Sequence, residues 1–402
     1  MQFDFETILE RRGHDAIAVD AAGSELFRHI APREGMDPIP MWVADMNFPA
    51  APSVQRAIAE RLSHPSFGYF NPRQEYFDAI IGWQQRRNGV EGLLPAHIGY
   101  ENGVLGGLSS AMRVICSRGD HVLLHSPTYI GFTHVLEDNG YRMELSPLKQ
   151  DENGVWRMDF ADMERRIVEK QIHAAVFCSP HNPTGRVWER WEIERAMELF
   201  RKYDVTVISD EIWSDLTRPG FRHIPTQSIS DDARNRTVAL YAPSKTFNLA
   251  GLVGSYHIIY NRLLRERIEK ESAMTHYKSM NVLSMYALIG AYSAEGEQWL
   301  EELRQVLDGN IRCAVDFLRA HVPGICLSEP QGTYMLFPDF SDWLRDKGMS
   351  LDDLLEAGWR EGVLWQDGRP FHGESAIRIN LALPKSRVEE AMERLNRAVF
   401  SR

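Results

Sequence analysis

Five short runs of apolar, largely β-branched residues punctuate the middle of the chain. They are His121–Ser126 (HVLLHS), Ala174–Ser179 (AAVFCS), Val205–Ser209 (VTVIS), Thr237–Tyr241 (TVALY) and Ser255–Tyr260 (SYHIIY). Near-continuous apolar runs of this length predict strands buried on both faces. Between them lie segments with apolar residues every three to four positions, such as Trp188–Tyr203 (WERWEIERAMELFRKY), which predict helices. Strand–helix alternation predicts an α/β fold with a mostly parallel sheet covered by helices. The last third reads differently. Leu300–His321 predicts a long amphipathic helix. A compact α+β pattern follows, with strands at Thr333–Pro338 and Ala376–Asn380 and helices at Leu351–Glu361 and Ser386–Phe400. The first 45 or so residues carry turn signals at Ala31-Pro32, Asp37-Pro38 and Ile39-Pro40. The expected division is a large domain over 46–290 and a smaller one built from both chain ends, 1–45 and 291–402.

Composition narrows the function classes. The 402 residues are 44% hydrophobic and 25% charged, the balance of an ordinary globular protein. With 45 Lys+Arg against 56 Asp+Glu, the formal net charge is −11. That argues against bulk nucleic-acid or anionic-membrane binding, which rests on basic patches, but leaves room for a local basic pocket. Cys116, Cys178, Cys313 and Cys326 form no CxxC pair, so neither a zinc knuckle nor a disulfide-rich scaffold is expected. The N-terminus, MQFDFETILERRGHD, has no apolar core of a signal peptide, and no run of about 18 apolar residues occurs. A cytoplasmic protein with reduced thiols and no metal is expected.

Three polar motifs lie just past predicted strands: Ser179–Gly185 (SPHNPTG), Ser209–Trp213 (SDEIW) and Ala242–Lys245 (APSK). Ligands of open α/β sheets bind outside the carboxyl ends of the strands, so an amide, a carboxylate and an amine converging on one edge make a candidate site. Each has a plainer reading alone: Asp210 as a helix cap, Lys245 as a surface charge, Asn182-Pro183 as a turn. A fourth motif, Asn102–Ser110 (NGVLGGLSS), is a glycine turn opening a helix, whose unpaired N–H groups and dipole suit a phosphate.

Taken in order, these motifs resemble those of the fold type I pyridoxal-phosphate enzymes, the class I/II aminotransferase superfamily, over nearly the whole chain. Pro40–Phe48 (PMWVADMNF), Ser179–Val187 (SPHNPTGRV), Ser209–Ile212 (SDEI) and Pro243–Leu252 (PSKTFNLAGL) resemble in particular the MalY/PatB branch of cystathionine β-lyase-type carbon–sulfur lyases, which includes cystalysin. The resemblance implies pyridoxal 5'-phosphate as cofactor. It makes Lys245 the lysine that bonds the cofactor aldehyde, through an amine whose pKa is depressed. It makes Asp210 the partner of the pyridine nitrogen, Asn182 the partner of the ring oxygen, and Tyr129 the aromatic stacked on the ring. Val104 and Leu105 become backbone phosphate donors, with Ser244 adding a hydroxyl. Tyr69 is the tyrosine that reaches the phosphate of a neighbouring subunit, which implies a homodimer with shared active sites. Arg378 grips the substrate carboxylate, which its planar fork suits.

Three positions depart from the family pattern. Ala242 stands where a phosphate-binding serine is usual. Trp213 stands where tyrosine or histidine is usual, and an indole N–H donates but cannot accept or relay a proton. Asn47 replaces the second aspartate of WVADMDF, which is expected to remove a carboxylate near the substrate. His181 is read as a turn residue and His372 as a loop residue close to Arg378. The implied activity is a C–S β-lyase releasing pyruvate, ammonia and a thiol. An aminotransferase acting on an L-amino acid and a 2-oxo acid is the alternative, and a regulatory or binding role on the same scaffold a second one.

Overall fold

In the computed structural model, which describes residues 1–401, thirteen strands among the described residues form three sheets. In chain order they are β1 Ile39–Met41, β2 Ile98–Asn102, β3 His121–Ser126, β4 Arg142–Pro147, β5 Lys149–Gln150, β6 Trp156–Arg157, β7 Ala174–Cys178, β8 Thr206–Asp210, β9 Thr237–Tyr241, β10 Gly254–Ile258, β11 Met335–Leu336, β12 Val363–Asp367 and β13 Ile377–Asn380. The five apolar runs are β3, β7, β8, β9 and β10. All five residues of β7 and of β9 are buried, as expected of strands covered on both sides.

The large sheet has the order β2-β10-β9-β8-β7-β3-β4. The strands from β9 to β4 pair in parallel, and β10 runs antiparallel to both β9 and β2. Two successive antiparallel pairings restore the direction of β2. The carboxyl ends of β2, β3, β7, β8 and β9 therefore share one edge, where β10 begins, with Gly254 opposite Asn102. Alternation along the strands sorts the core. Leu124, Val176 and Ile208 pack with helix Val104–Ile115, whereas Leu123, Ala175 and Val207 pack with Met163, Ile167, Ile193 and Met197 of helices Phe160–Lys170 and Arg190–Lys202. Each fully buried aliphatic side chain of this kind stabilises by about 1.5–3 kcal/mol.

The second sheet, β1-β12-β13-β11, combines both ends of the chain. Here the structure corrects one sequence expectation. Ile39-Pro40 is not a turn: it lies in β1, which pairs in parallel with β12. Proline is tolerated there because β1 is an edge strand, where a missing N–H breaks no ladder. The long helix starts earlier than its apolar stripe, at Ala294, because the Ser293 hydroxyl caps Gly296 N–H. Thr333–Pro338 forms only the short β11, and the C-terminal helix Lys385–Leu395 ends in a widened turn over Asn396–Phe400. A two-stranded hairpin, β5 with β6, lies outside both sheets. Among the described residues, no helix is long and apolar enough to cross a membrane.

Candidate active site

At the shared carboxyl edge lies a cavity of about 250 Å³. Val104, Leu105, Tyr129, Asn182, Asp210, Trp213, Ser244 and Lys245 all line it. They arrive from five connections: β2 into its helix, β3 into Tyr129, β7 into the NPTG loop, β8 ending at Asp210 with Trp213 just beyond, and β9 leading to Ser244-Lys245. Parallel strands deliver these side chains together although they lie far apart in sequence.

Two opposite charges face the cavity. The Asp210 side chain is buried, and its one hydrogen bond among the described residues comes from Ile212 N–H at 3.0 Å. Burial pushes its carboxyl up to about 7, against the pull of that N–H and of Lys245. The adjacent Glu211 is also buried but has the opposite fate. His223, at 2.7 Å, and the hydroxyl of Tyr241, at 2.5 Å, outweigh burial and hold its carboxyl below the usual value. Asp210 is thus a buried carboxylate in want of a cation. Lys245 donates to Ala44 O at 2.9 Å, and burial followed by the nearby Arg378 brings its amine down to about 8. An amine so depressed has an appreciable neutral fraction near physiological pH, which an ordinary lysine lacks and which covalent and proton-transfer chemistry require.

The anion end of the cavity is backbone. Gly103, at φ 77°, caps helix Val104–Ile115 without any side-chain bond to the first turn, so those N–H groups remain available. Gly106 has no room for a side chain, since a Cβ there would lie 2.9 Å from the Tyr277 ring. The Tyr129 ring is seated over Gly131, where a Cβ would stand 2.4 Å from its edge. Ala242 is buried and offers no hydroxyl. The residues present therefore fit a flat, cationic ring with an aldehyde and a phosphate: an amine, a partner-seeking carboxylate, an aromatic plate and free N–H donors.

Arg378, on β13, is buried behind Asn182. It donates to Asn182 Oδ1 at 3.3 Å, Trp42 O at 2.9 Å and Gln366 Oε1 at 2.5 Å, and stacks 4.4 Å from the Phe371 ring centre. Among the described residues no carboxylate pairs with it, and its Nε has no partner. Burial lowers its pKa to about 10. A buried guanidinium without a counter-ion is a receptor for an anion.

The stretch Trp42–Asn47 straps the two sheets together. Its carbonyls at Trp42 and Ala44 take Arg378 and Lys245. Asn380 Nδ2 bonds Val43 O and Asp45 O, and Asn248 bonds both N–H and O of Met46. Asn47 does not face the cavity. Its amide oxygen accepts from Arg11 at 2.7 Å, and Arg11 pairs with Asp45 at 2.6 Å. Arg11 already has its carboxylate, so asparagine at 47 completes that contact without adding a second charge. Asn47 thus serves the contact with Arg11 and is not among the residues that line the cavity.

The remaining expectations divide. Tyr69 is fully exposed in a loop with exposed Phe67 and Phe70, and does not line the cavity of its own chain. His181 bonds Thr184 Oγ1 at 2.8 Å within the NPTG loop, where burial drops its pKa to about 3, so it serves the turn. His372 is exposed and lines a separate cavity of about 560 Å³. Sequence reasoning missed Ala44, Ile212, Ala250, Val253 and Gly254 in the cavity wall, and Phe371 and Gln366 around Arg378. Ala44, Ile212 and Ala250 lie within quoted motifs but bear no reactive side chain, and the others lie in none, because a carbonyl or an aliphatic wall is recruited by position and not by residue type.

An open α/β sheet that gathers a depressed lysine, a buried aspartate and free helix N–H groups at its carboxyl edge defines an enzyme class working through a bound aldehyde cofactor. The chain belongs to the aminotransferase class I and II family, whose model matches residues 40–395. It is 34% identical over 399 residues to cystathionine β-lyase PatB of Bacillus subtilis, covering 98% of this chain and all of that protein. It is 29% identical to protein MalY of Escherichia coli, covering 99% of both chains. Among solved structures, cystalysin of Treponema denticola, which contains pyridoxal 5'-phosphate, superposes with a TM-score of 0.91 at 31% identity over 99% of both chains.

Proposed function

We propose that this protein is a pyridoxal-phosphate-dependent carbon–sulfur β-lyase of the cystathionine β-lyase type. The observation that carries the reading is the pairing of a partner-seeking Asp210 with a depressed Lys245 in one cavity, with an unpaired Arg378 beside it. The full-length likeness to PatB and cystalysin supports it. The balanced reaction converts a cysteine S-conjugate and water into a thiol, pyruvate and ammonium.

When bound, the cofactor ring supplies the electron sink for charge left at the substrate Cα. The residues of the chain do the rest. Asp210 would keep a proton on the ring nitrogen, because that pairing would satisfy a carboxylate that burial otherwise disfavours. Asn182 and Trp213 would hold the side of the ring, the N–H groups of Val104 and Leu105 with the Ser244 hydroxyl would hold the phosphate, and Tyr129 would lie against the ring. Arg378 orients the substrate through its carboxylate. Lys245 takes the Cα proton and returns a proton to the departing thiolate, which its near-neutral pKa permits in both directions. Tyr69 belongs to the site of a second copy, so the working protein is a homodimer. The exposed aromatic cluster Phe67, Tyr69 and Phe70 supports that reading.

The test is incubation of the cofactor-loaded protein with cystathionine and other cysteine S-conjugates, followed by pyruvate and thiol assays. Stoichiometric pyruvate and thiol are expected. Absence of pyruvate from every conjugate, with a 2-oxo acid instead accepting the amino group, would replace the lyase with an aminotransferase. A monomer in sedimentation, with full activity in Tyr69→Phe, would remove the shared site.

A further inference from the structure

Tyr334 is fully buried, yet its hydroxyl has no hydrogen-bond partner. Leaving such a group unsatisfied costs about 1–3 kcal/mol, and cores do not carry that cost without a reason. The local backbone is strained to put it there. Thr333 sits at φ 66°, a region that a β-branched residue rarely adopts. Gly332 before it is so closely packed that a Cβ would lie 2.9 Å from Val187 and 3.2 Å from Leu216 O. Thr333 is pinned by its N–H to Leu216 O at 2.7 Å and by its hydroxyl, which accepts from Met335 N–H.

These constraints set Tyr334 against a wall of the site. Its ring meets the Trp213 indole edge-on at 4.8 Å, and Trp213 lines the cavity with Lys245 5.9 Å from its ring. Its carbonyl accepts Leu381 N–H, which fixes it against the end of β13, the strand carrying Arg378 and Asn380. Arg378 and Tyr334 feel each other's charge, as do Tyr334 and Asp45, and Asp45 is already neutralised by Arg11. Two buried donors without acceptors, Arg378 Nε on β13 and the Tyr334 hydroxyl just before β11, which pairs with β13, thus stand behind two residues of the cavity wall, Asn182 and Trp213.

We propose that the Tyr334 hydroxyl is a second substrate-binding donor, giving a hydrogen bond to the α-carboxylate held by Arg378. A carboxylate brings two acceptor oxygens, enough for both orphaned donors. The inference deepens the proposed function by adding a residue to its carboxylate subsite, and rests on Arg378 being the anion receptor. It does not depend on whether the reaction is elimination or amino transfer.

The experiment titrates the cofactor-loaded protein with L-alanine and with L-alaninamide, reading the initial absorbance change of the bound cofactor. Tyr334→Phe keeps the ring contact with Trp213 and removes only the hydroxyl. A hydrogen bond to a charged group predicts that L-alanine binding weakens about tenfold or more, while alaninamide binding stays within about twofold. Steady-state assays should show the loss in KM with kcat nearly preserved. Unchanged L-alanine affinity, or equal weakening of both ligands, overturns the proposal. Arg378→Lys is measured in parallel. If Arg378→Lys weakens L-alanine while Tyr334→Phe does not, the Tyr334 proposal alone falls; if Arg378→Lys leaves L-alanine unchanged, the anion receptor falls and the Tyr334 proposal with it.

Discussion

The large sheet and the small sheet each bring a buried cation to the strap at 42–46, and each leaves it in a different electrostatic state. Lys245 shares its cavity with Asp210 and rests on Ala44 O, its amine drawn down to about 8. Arg378 rests on Trp42 O with an aromatic ring behind it and no carboxylate in reach. The same physical cost, desolvation, acts on both. Lysine relieves it by giving up its proton, and so becomes a base. Arginine, whose guanidinium stays charged, can relieve it only by taking in an anion. The large-sheet side is thereby suited to proton transfer and the small-sheet side to recognition.

The sharpest break in that comparison is Lys245→Ala. It removes both the covalent anchor and the base, and kcat should fall by roughly 10³-fold or more, with loss of the visible cofactor band that depends on the lysine. Retention of that band would disprove the anchoring role. Asp210→Ala comes next. Removing one partner of a buried pair costs on the order of 3–5 kcal/mol, and most turnover should be lost even where cofactor still binds.

Asp210 also gives a pH signature in the cofactor-free protein. Burial raises its folded pKa to about 7, above the ordinary aspartate value of 3.8, so the folded state holds the proton more tightly. Stability from this group is present below pH 4 and declines as pH rises towards 7. Denaturant titrations of cofactor-free wild type should show that decline, and Asp210→Asn should lack it. A variant with the same slope as wild type would mean another group is responsible.

Arg378→Lys tests the small-sheet side alone. Loss of the planar fork should raise KM about 10- to 100-fold with a smaller change in kcat, whereas cofactor affinity should hold. The smallest expected effect is that of Gly131→Ala. The added methyl meets the Tyr129 ring, so about 1–3 kcal/mol of stability should be lost in thermal or denaturant unfolding, together with part of the cofactor affinity. Unchanged cofactor binding in that variant would show that the seat of Tyr129 is not critical.

The contrast between the sheets also explains what was legible beforehand. The large-sheet side was open to reading because its strands are local apolar runs and its chemistry follows each run within a few residues: Asn182 after β7, Asp210 ending β8, Lys245 after β9. β2 and β4 were harder, since Ile98–Asn102 (IGYEN) and Arg142–Pro147 (RMELSP) are short and mixed in polarity. β1 was hidden by its proline, a local turn signal overruled by pairing with a strand some 320 residues away. The environment of Arg378 was almost wholly unreadable. Trp42 O, Gln366 and Phe371 have no spacing relation to it, and the lack of a counter-ion cannot be seen in a sequence. Nor could the sequence show that Asn47 turns towards Arg11, or that Tyr334 is left without a partner.

By itself, the sequence determined the element types of the large sheet, the candidate residues that the structure gathers at one cavity, and the cofactor that their pattern implies. These are properties of residue type and short-range spacing. Tertiary structure alone decided which charges are buried and unpaired, which carbonyls hold Lys245 and Arg378, and which side chains share a wall. Those depend on desolvation and on contacts between segments hundreds of residues apart, and neither is encoded in any local window of the chain.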